Sequence, residues 1–233
     1  MKTLKVFPYL VLFGKITALP TEISYLNSGQ LQALESSTAS NKISARDELS
    51  RATANELLDG PCRSVTMLFA KGTGEVGNLG AGSSPGPALS ETLKASLGEN
   101  NIAVQGIDYD ANVIGFLIGG DILGSKELIE MTNLAASKCP DSKFVLSGFS
   151  QGAQVVHRSV KRLSSEVSSK IRAVVLFGDP SIKENVGDLP ESSVLSICND
   201  EDAICHSGLG FEGHKKYAQR AKEAADFIVS KLN

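Results

Sequence analysis

The sequence predicts an α/β fold in which a mostly parallel sheet of about five strands is covered by helices on both faces. Apolar, β-branched runs alternate with helix-period segments along the 233 residues, the order expected of a parallel sheet with crossover helices. One run, Lys143-Phe144-Val145-Leu146-Ser147, passes through Gly148-Phe149-Ser150-Gln151-Gly152 straight into a helical pattern, with no loop between them. The length suits one substantial core, and 42% hydrophobic with 21% charged residues describe an ordinary globular chain.

The N-terminal end reads as processing sequence. Lys2 and Lys5 precede an apolar run from Val6 to Phe13, with small residues near Thr17-Ala18, so residues 1–18 are expected to be a secretory signal peptide, although Lys15 interrupts the usual apolar stretch. That run is too short to span a membrane. Residues 19–43 are rich in Ser, Thr, Asn and Gln and read as a pro-segment or flexible arm. The folded domain is expected over 44–233.

Its elements follow in order. A helical pattern starts near Ser44, with Thr53-Ala54-Asn55-Glu56 shaped like a capping box and Gly60 as a stop. Ser64 to Ala70 is a strand by its β-branched and apolar content. It runs into Gly72-Thr73-Gly74-Glu75-Val76-Gly77, which matches a dinucleotide-binding fingerprint. That fingerprint opens directly into a helix, whereas residues 78–87 continue here as a Gly, Ser and Pro loop, so the match is rejected. A helix from Pro87 to Leu97 and a strand from Ile102 to Asp108 come next. Residues 114–120 are apolar and punctuated by glycine, fitting either core packing or the wall of an apolar groove. A helix over about 125–137, the strand at 143–147, a helix over 151–167, strands at 172–177 and 193–197, and a long helix over 213–232 complete the chain.

Chemistry concentrates at Ser150. A sharp strand-to-helix turn lifts its hydroxyl clear of the sheet edge, and glycines on both sides let the backbones pass closely. A serine nucleophile needs a base, and the base needs an acid to hold its tautomer. The three histidines are His157, His206 and His214. His157 lies two helical turns beyond Ser150, roughly 10 Å away, and is out of reach. His206 follows Cys205, and His214 stands after a glycine-containing loop. The order nucleophile, acid, histidine brings forward Asp200 and Asp202. Asp202 is favoured, with Asp200 as a solvent-facing or capping residue and Asp179 as the remaining candidate.

Cys62, Cys139, Cys198 and Cys205 form an even set, which in a secreted chain suggests two disulfides in any of three pairings. No Cys-x-x-Cys or paired Cys/His spacing supports a zinc site. A net charge of −3 without a basic stripe argues against a nucleic-acid partner.

Several ordered motifs together resemble the fungal cutinase family of serine esterases. They are residues 69–78 (Phe-Ala-Lys-Gly-Thr-Gly-Glu-Val-Gly-Asn), Lys138-Cys139-Pro140, Gly148-Phe149-Ser150-Gln151-Gly152, the stretch from Cys198-Asn199 through Asp202 to Cys205, and His214 with Tyr217. The resemblance covers the chain from about Ala45 to its end. It implies a small α/β-hydrolase without a large lid, and Ser150, His214 and Asp202 as the triad. It also implies disulfides Cys62–Cys139 and Cys198–Cys205, and an oxyanion hole from the backbone N–H groups of Thr73 and Gln151, helped by the Thr73 hydroxyl. Lys71, Thr73 and Phe149 stand where the family usually has arginine, serine and tyrosine.

The expected function is a secreted, extracellular carboxylic ester hydrolase, working without a cofactor or metal through an acyl-enzyme. Ile114, Phe116, Leu117, Leu209 and Phe211 are expected to flank the groove and receive an acyl chain. By resemblance the substrate is cutin polyester or short- to medium-chain esters. The alternatives are an acetylxylan esterase or short-chain lipase of the same fold, and a non-catalytic secreted elicitor or binding protein. A monomer without nucleic-acid or membrane partners is expected.

Overall fold

The computed structural model describes residues 47, 49–206 and 210–232. The expected leader over 1–18 and arm over 19–43 lie outside these residues, as does Leu209. The sheet is built as expected: β1 (Val65–Ala70), β2 (Ile102–Gly106), β3 (Lys143–Phe149), β4 (Ile171–Phe177) and β5 (Val194–Ile197) lie in the order β2-β1-β3-β4-β5. Every neighbouring pair is parallel, with Val65 opposite both Ile102 and Lys143, and Val174 opposite Val194. β1 and β2 are buried along their whole length, which is why they read as continuous apolar runs.

The pleat divides the core in two. Leu68, Ala70, Leu146, Val174 and Leu176 face one layer of helices and pack with Leu128 and Ala135 of α4 (Ile122–Lys138) and Ala153 and Val156 of α5 (Gln151–Val160). Met67, Phe69, Val145, Val175 and Phe177 face the other, packing with Leu89 and Leu93 of α2 (Pro85–Leu97) and Ala224 and Ile228 of α7 (Ala221–Leu232). Residues 47 and 49–51 are helical, and the other short helices among the described residues are α1 (Glu56–Asp59), α3 (Val113–Leu117) and α6 (Ser165–Ser168).

Several helix boundaries differ from the sequence reading, each for a local reason. α1 has Asn55 at its N-cap without a side-chain capping bond. The expected capping box does not form because Glu56 turns to the sheet, where one carboxylate oxygen accepts from Val104 N at 2.9 Å and the other pairs with Lys94. α2 starts at Pro85 because Ser84 caps it and Pro85 suits a first turn that needs no N–H. α4 starts at Ile122, where Asp121 accepts from Gly124 N at 2.8 Å. The helix expected over 151–167 stops at Val160, and Ser164 caps the separate turn α6. The helix expected from Gly213 begins only at Ala221, after 3-10 turns at Gly213–Lys215 and Tyr217–Arg220.

Two disulfides close the frame. Cys62–Cys139 joins the approach to β1 to the C-cap of α4, and Cys198–Cys205 closes the loop after β5. No described helix is long and apolar enough to cross a membrane.

Candidate active site

Ser150 sits between β3 and α5 at φ 55° and ψ −116°, a left-handed position that costs a non-glycine residue energy and is kept where function needs it. The surrounding backbone fixes this turn. Ser150 N donates to Phe177 O at the end of β4 at 2.9 Å. A Cβ on Gly148 would lie 2.4 Å from Gly152 O, and one on Gly152 would lie 2.0 Å from Ala70 O. Only glycine fits either place, so the helix starts directly over the sheet edge.

The loop after β5 supplies the second part. Asp202 is fully buried, and its Oδ2 accepts from His214 Nδ1 at 2.8 Å while its Oδ1 accepts from Ile204 N at 2.9 Å. With Nδ1 committed to the carboxylate, Nε2 is the nitrogen left for a proton acceptor's role. The ring of Phe149, the residue before Ser150, lies against the His214 imidazole at 4.8 Å between centroids. This contact sets the His214 ring beside the residue that precedes Ser150. Gly178, at φ 54°, lets the chain pass under this pair, because a Cβ there would lie 2.9 Å from His214 Cε1 and 3.0 Å from Asp202 Oδ2. Tyr217, also fully buried, donates its hydroxyl to the same Oδ2 at 2.6 Å.

Asp200 is exposed, in keeping with its expected solvent-facing place. Asp179 is removed from consideration as the acid: it is buried and bonded to His157, with Nε2 and Oδ2 2.9 Å apart, and its Oδ1 accepts from Ser181 N at 2.8 Å. That pair joins α5 to the loop after β4, apart from His214.

The loop after β1 supplies the third part. Gln151 Nε2 donates to Thr73 Oγ1 at 2.8 Å and to Asn112 O at 2.8 Å. Thr73 Oγ1 therefore accepts from Gln151, which leaves its own proton for another acceptor. Gln151 opens α5, so its own N–H has no carbonyl one turn earlier and remains free for an oxygen. The loop is held from behind by Glu75, whose Oε2 accepts from Gly72 N at 2.6 Å. Burial pushes the Glu75 carboxyl up to about 7, against the smaller opposing pull of the Gly72 N–H, Ser84 and Lys71. Lys71 Nζ donates to Gly77 O at 2.6 Å. This stretch is a loop up to Pro85, unlike a nucleotide-binding turn.

Residues 113–120 do not pack into the core. Ile114 and Leu117 are 70% and 73% exposed on α3, Phe116 is half-buried, and Ile122 and Leu123 continue the apolar surface at the start of α4. Burying Gly115 against Gln151 and Asp121 is what turns α3 this way. Phe211 is also exposed. Among the described residues, no three His, Cys, Asp or Glu side chains converge to hold a metal ion.

Sequence reasoning did not reach the Gln151 side chain, Glu75, Gly178 or the bond from Tyr217 to Asp202. The first two carry a signal, since an amide beside a nucleophile and a carboxyl inside a glycine-rich loop are polar groups that burial obliges to find partners.

Residues 61–232 match the family model described as Cutinase. The chain is 44% identical over 220 residues to a cutinase of Blumeria hordei, covering 93% of each chain. It is 40% identical to a cutinase of Pyricularia oryzae, over 77% of this chain and 86% of that one. Among solved structures, a Trichoderma reesei cutinase in complex with a C11Y4 phosphonate inhibitor superposes with a TM-score of 0.71 at 34% identity. It covers 85% of this chain and 91% of its own. An acetylxylan esterase, at 17% identity and a TM-score of 0.58, shares the fold.

Proposed function

The chain belongs to the cutinase family and is a serine ester hydrolase, and we propose that it cleaves polyester with Ser150, His214 and Asp202 as its triad. The observation that carries the assignment is the 2.8 Å bond between the buried Asp202 and His214 Nδ1, beside a serine in a left-handed elbow. Ser150 Oγ attacks the ester carbonyl as His214 Nε2 takes its proton. The Asp202 carboxylate stabilises the imidazolium that results. The carbonyl oxygen becomes an oxyanion held by the Thr73 and Gln151 N–H groups and the Thr73 hydroxyl, donors that contribute about 3 kcal/mol each in such sites. Collapse of this intermediate breaks the ester C–O bond, and His214 returns the proton to the departing alkoxide. Water, deprotonated by His214, then attacks the acyl-enzyme. The tetrahedral intermediate collapses, Ser150 recovers its proton from His214, and the acid product leaves.

Ile114, Phe116, Leu117 and Phe211 supply the apolar rim on which an acyl chain lies, a reading supported by the exposure of Ile114, Leu117 and Phe211 and, for α3, by Gly115 packing against Gln151. Leu209 is assigned to the same rim from sequence alone. A rim of this size favours medium acyl chains and an insoluble polyester such as cutin over an acetyl group. Two disulfides and the signal-like N-terminus support secretion.

A serine-directed phosphonate tests the triad: a stoichiometric adduct is expected on Ser150 and none on Ser150→Ala. Absence of an adduct on folded protein would defeat it. Hydrolysis of a ladder of acyl-chain lengths tests the rim, and a maximum at acetyl would count against polyester.

A further inference from the structure

We propose that Tyr217 is a positioning residue for hydrolysis that sets the acid limit of the reaction by sharing Asp202 Oδ2 with His214. The inference rests on the triad proposed above. Oδ2 accepts two hydrogen bonds, from His214 Nδ1 at 2.8 Å and from the Tyr217 hydroxyl at 2.6 Å. The phenol is itself held in place. Asn199 N donates to its oxygen at 3.0 Å, and its ring packs against Phe177 and edge-on to His214, at 5.9 and 6.0 Å between centroids. Cys205 Sγ lies 3.4 Å from the phenol oxygen but is bonded to Cys198, so it brings no competing proton.

The Tyr217 proton stays on the phenol across the working range. Burial, first, and the carboxylate beside it, second, hold its pKa well above the usual tyrosine value. Oδ2 is therefore permanently engaged by a neutral donor, and a carboxylate oxygen that already accepts one strong bond is a weaker partner for a cation. Less of its charge is available to stabilise the imidazolium that His214 becomes during the reaction. Removing the hydroxyl leaves Oδ2 to His214 alone. The resting imidazolium is then better stabilised, and the acid limb of activity moves to higher pH.

Other charged groups surround this cluster. Asp200 and Glu201 precede Asp202, and Glu212, Lys215 and Lys216 flank His214. Arg220 bonds Asn199 Oδ1 at 2.7 Å and pairs with Glu223, and Asp179 beyond Gly178 is bonded to His157. All of them remain in Tyr217→Phe, so a shift in that variant reports the hydroxyl.

The test is the pH profile of kcat/KM on a soluble p-nitrophenyl ester, which reports the free enzyme's acid limb. Active sites are counted by phosphonate titration and thermal unfolding is followed in parallel. Tyr217→Phe is expected to move the acid limb up by about half a pH unit or more. Site-specific 3-fluorotyrosine at position 217, which keeps the ring and strengthens the donor, is expected to move it down. A Tyr217→Phe protein that is less stable but keeps its acid limb would overturn the inference. If that variant does not fold, an unmoved limb in the fluorinated protein overturns it instead. Lack of any phosphonate adduct on Ser150 of the unaltered protein defeats the triad itself, whereas a normal adduct with an unmoved acid limb defeats only the role of Tyr217.

Discussion

Gln151 reaches across the cleft with its side-chain amide and donates to Thr73 Oγ1 at 2.8 Å. The residue after Ser150 therefore fixes a hydroxyl in the loop after β1, and one hydrogen bond joins the two proposed oxyanion donors, which lie 78 positions apart in sequence. Thr73→Val keeps the backbone N–H and removes the hydroxyl. It is expected to lower kcat by about 10²- to 10³-fold with little change in KM. Gln151→Leu leaves the hydroxyl but frees its rotor, so a smaller loss of about tenfold is expected. Equal losses in both variants would show that orientation is the whole effect.

Gly178 has no room for a side chain beneath Asp202 and His214. At φ 54°, with His214 Cε1 2.9 Å from a Cβ placed there, Gly178→Ala pushes the imidazole away from its place. A displacement of about 1 Å in a catalytic group costs about 10²-fold in rate, and kcat/KM on a soluble ester is expected to fall by that order. Retention of full activity would mean that the loop after β4 yields and His214 does not depend on it.

Glu75 makes stability depend on pH with an unusual sign. Its carboxyl is raised from 4.5 to about 7 in the folded chain, so between those values the folded state binds the proton and the unfolded state does not. The contribution is fully present below about pH 4.5 and is lost as pH rises through about 7. It amounts to about 3 kcal/mol by linkage. Glu75→Gln keeps an acceptor for Gly72 N without the charge. The fall in unfolding midpoint between pH 5 and pH 8 is expected to be smaller in that variant than in the unaltered protein.

The two disulfides are expected to separate stability from activity. Cys62–Cys139 spans 77 positions and Cys198–Cys205 only 7. On chain entropy, opening the first costs about 4 to 5 kcal/mol and opening the second about half of that. The short loop carries Asp202, however. Cys198→Ser with Cys205→Ser is expected to lose more activity per folded molecule than the Cys62→Ser, Cys139→Ser pair, as judged by phosphonate-titrated kcat alongside denaturant unfolding.

The strands and the elbow could be read locally because their causes are local. Two-sided burial makes β1 and β2 continuous apolar runs, and the turn at Ser150 demands small residues at 148 and 152 within the same ten-residue stretch. Helix ends were less legible. Glu56 has the sequence place of a capping residue and spends its carboxylate on Val104 and Lys94, 48 and 38 positions away. The sequence pattern over 151–167 also gave no warning that Ser164 would start a fresh turn after α5.

The same division runs through the site. The sequence alone was enough to propose Ser150, Asp202 and His214, with Asp202 favoured over Asp200 and Asp179, and to place the strand-turn-helix around the serine, because residue type and chain order are what that chemistry restricts. Tertiary structure decided which histidine each buried aspartate holds, giving His157 to Asp179 and His214 to Asp202. It also decided that Tyr217 shares the Asp202 oxygen and that Val113, Ile114, Leu117 and Ile118 face outwards. Those outcomes depend on distances between elements set by sheet register and helix packing, and a buried polar group takes whichever partner the packed chain brings within about 3 Å.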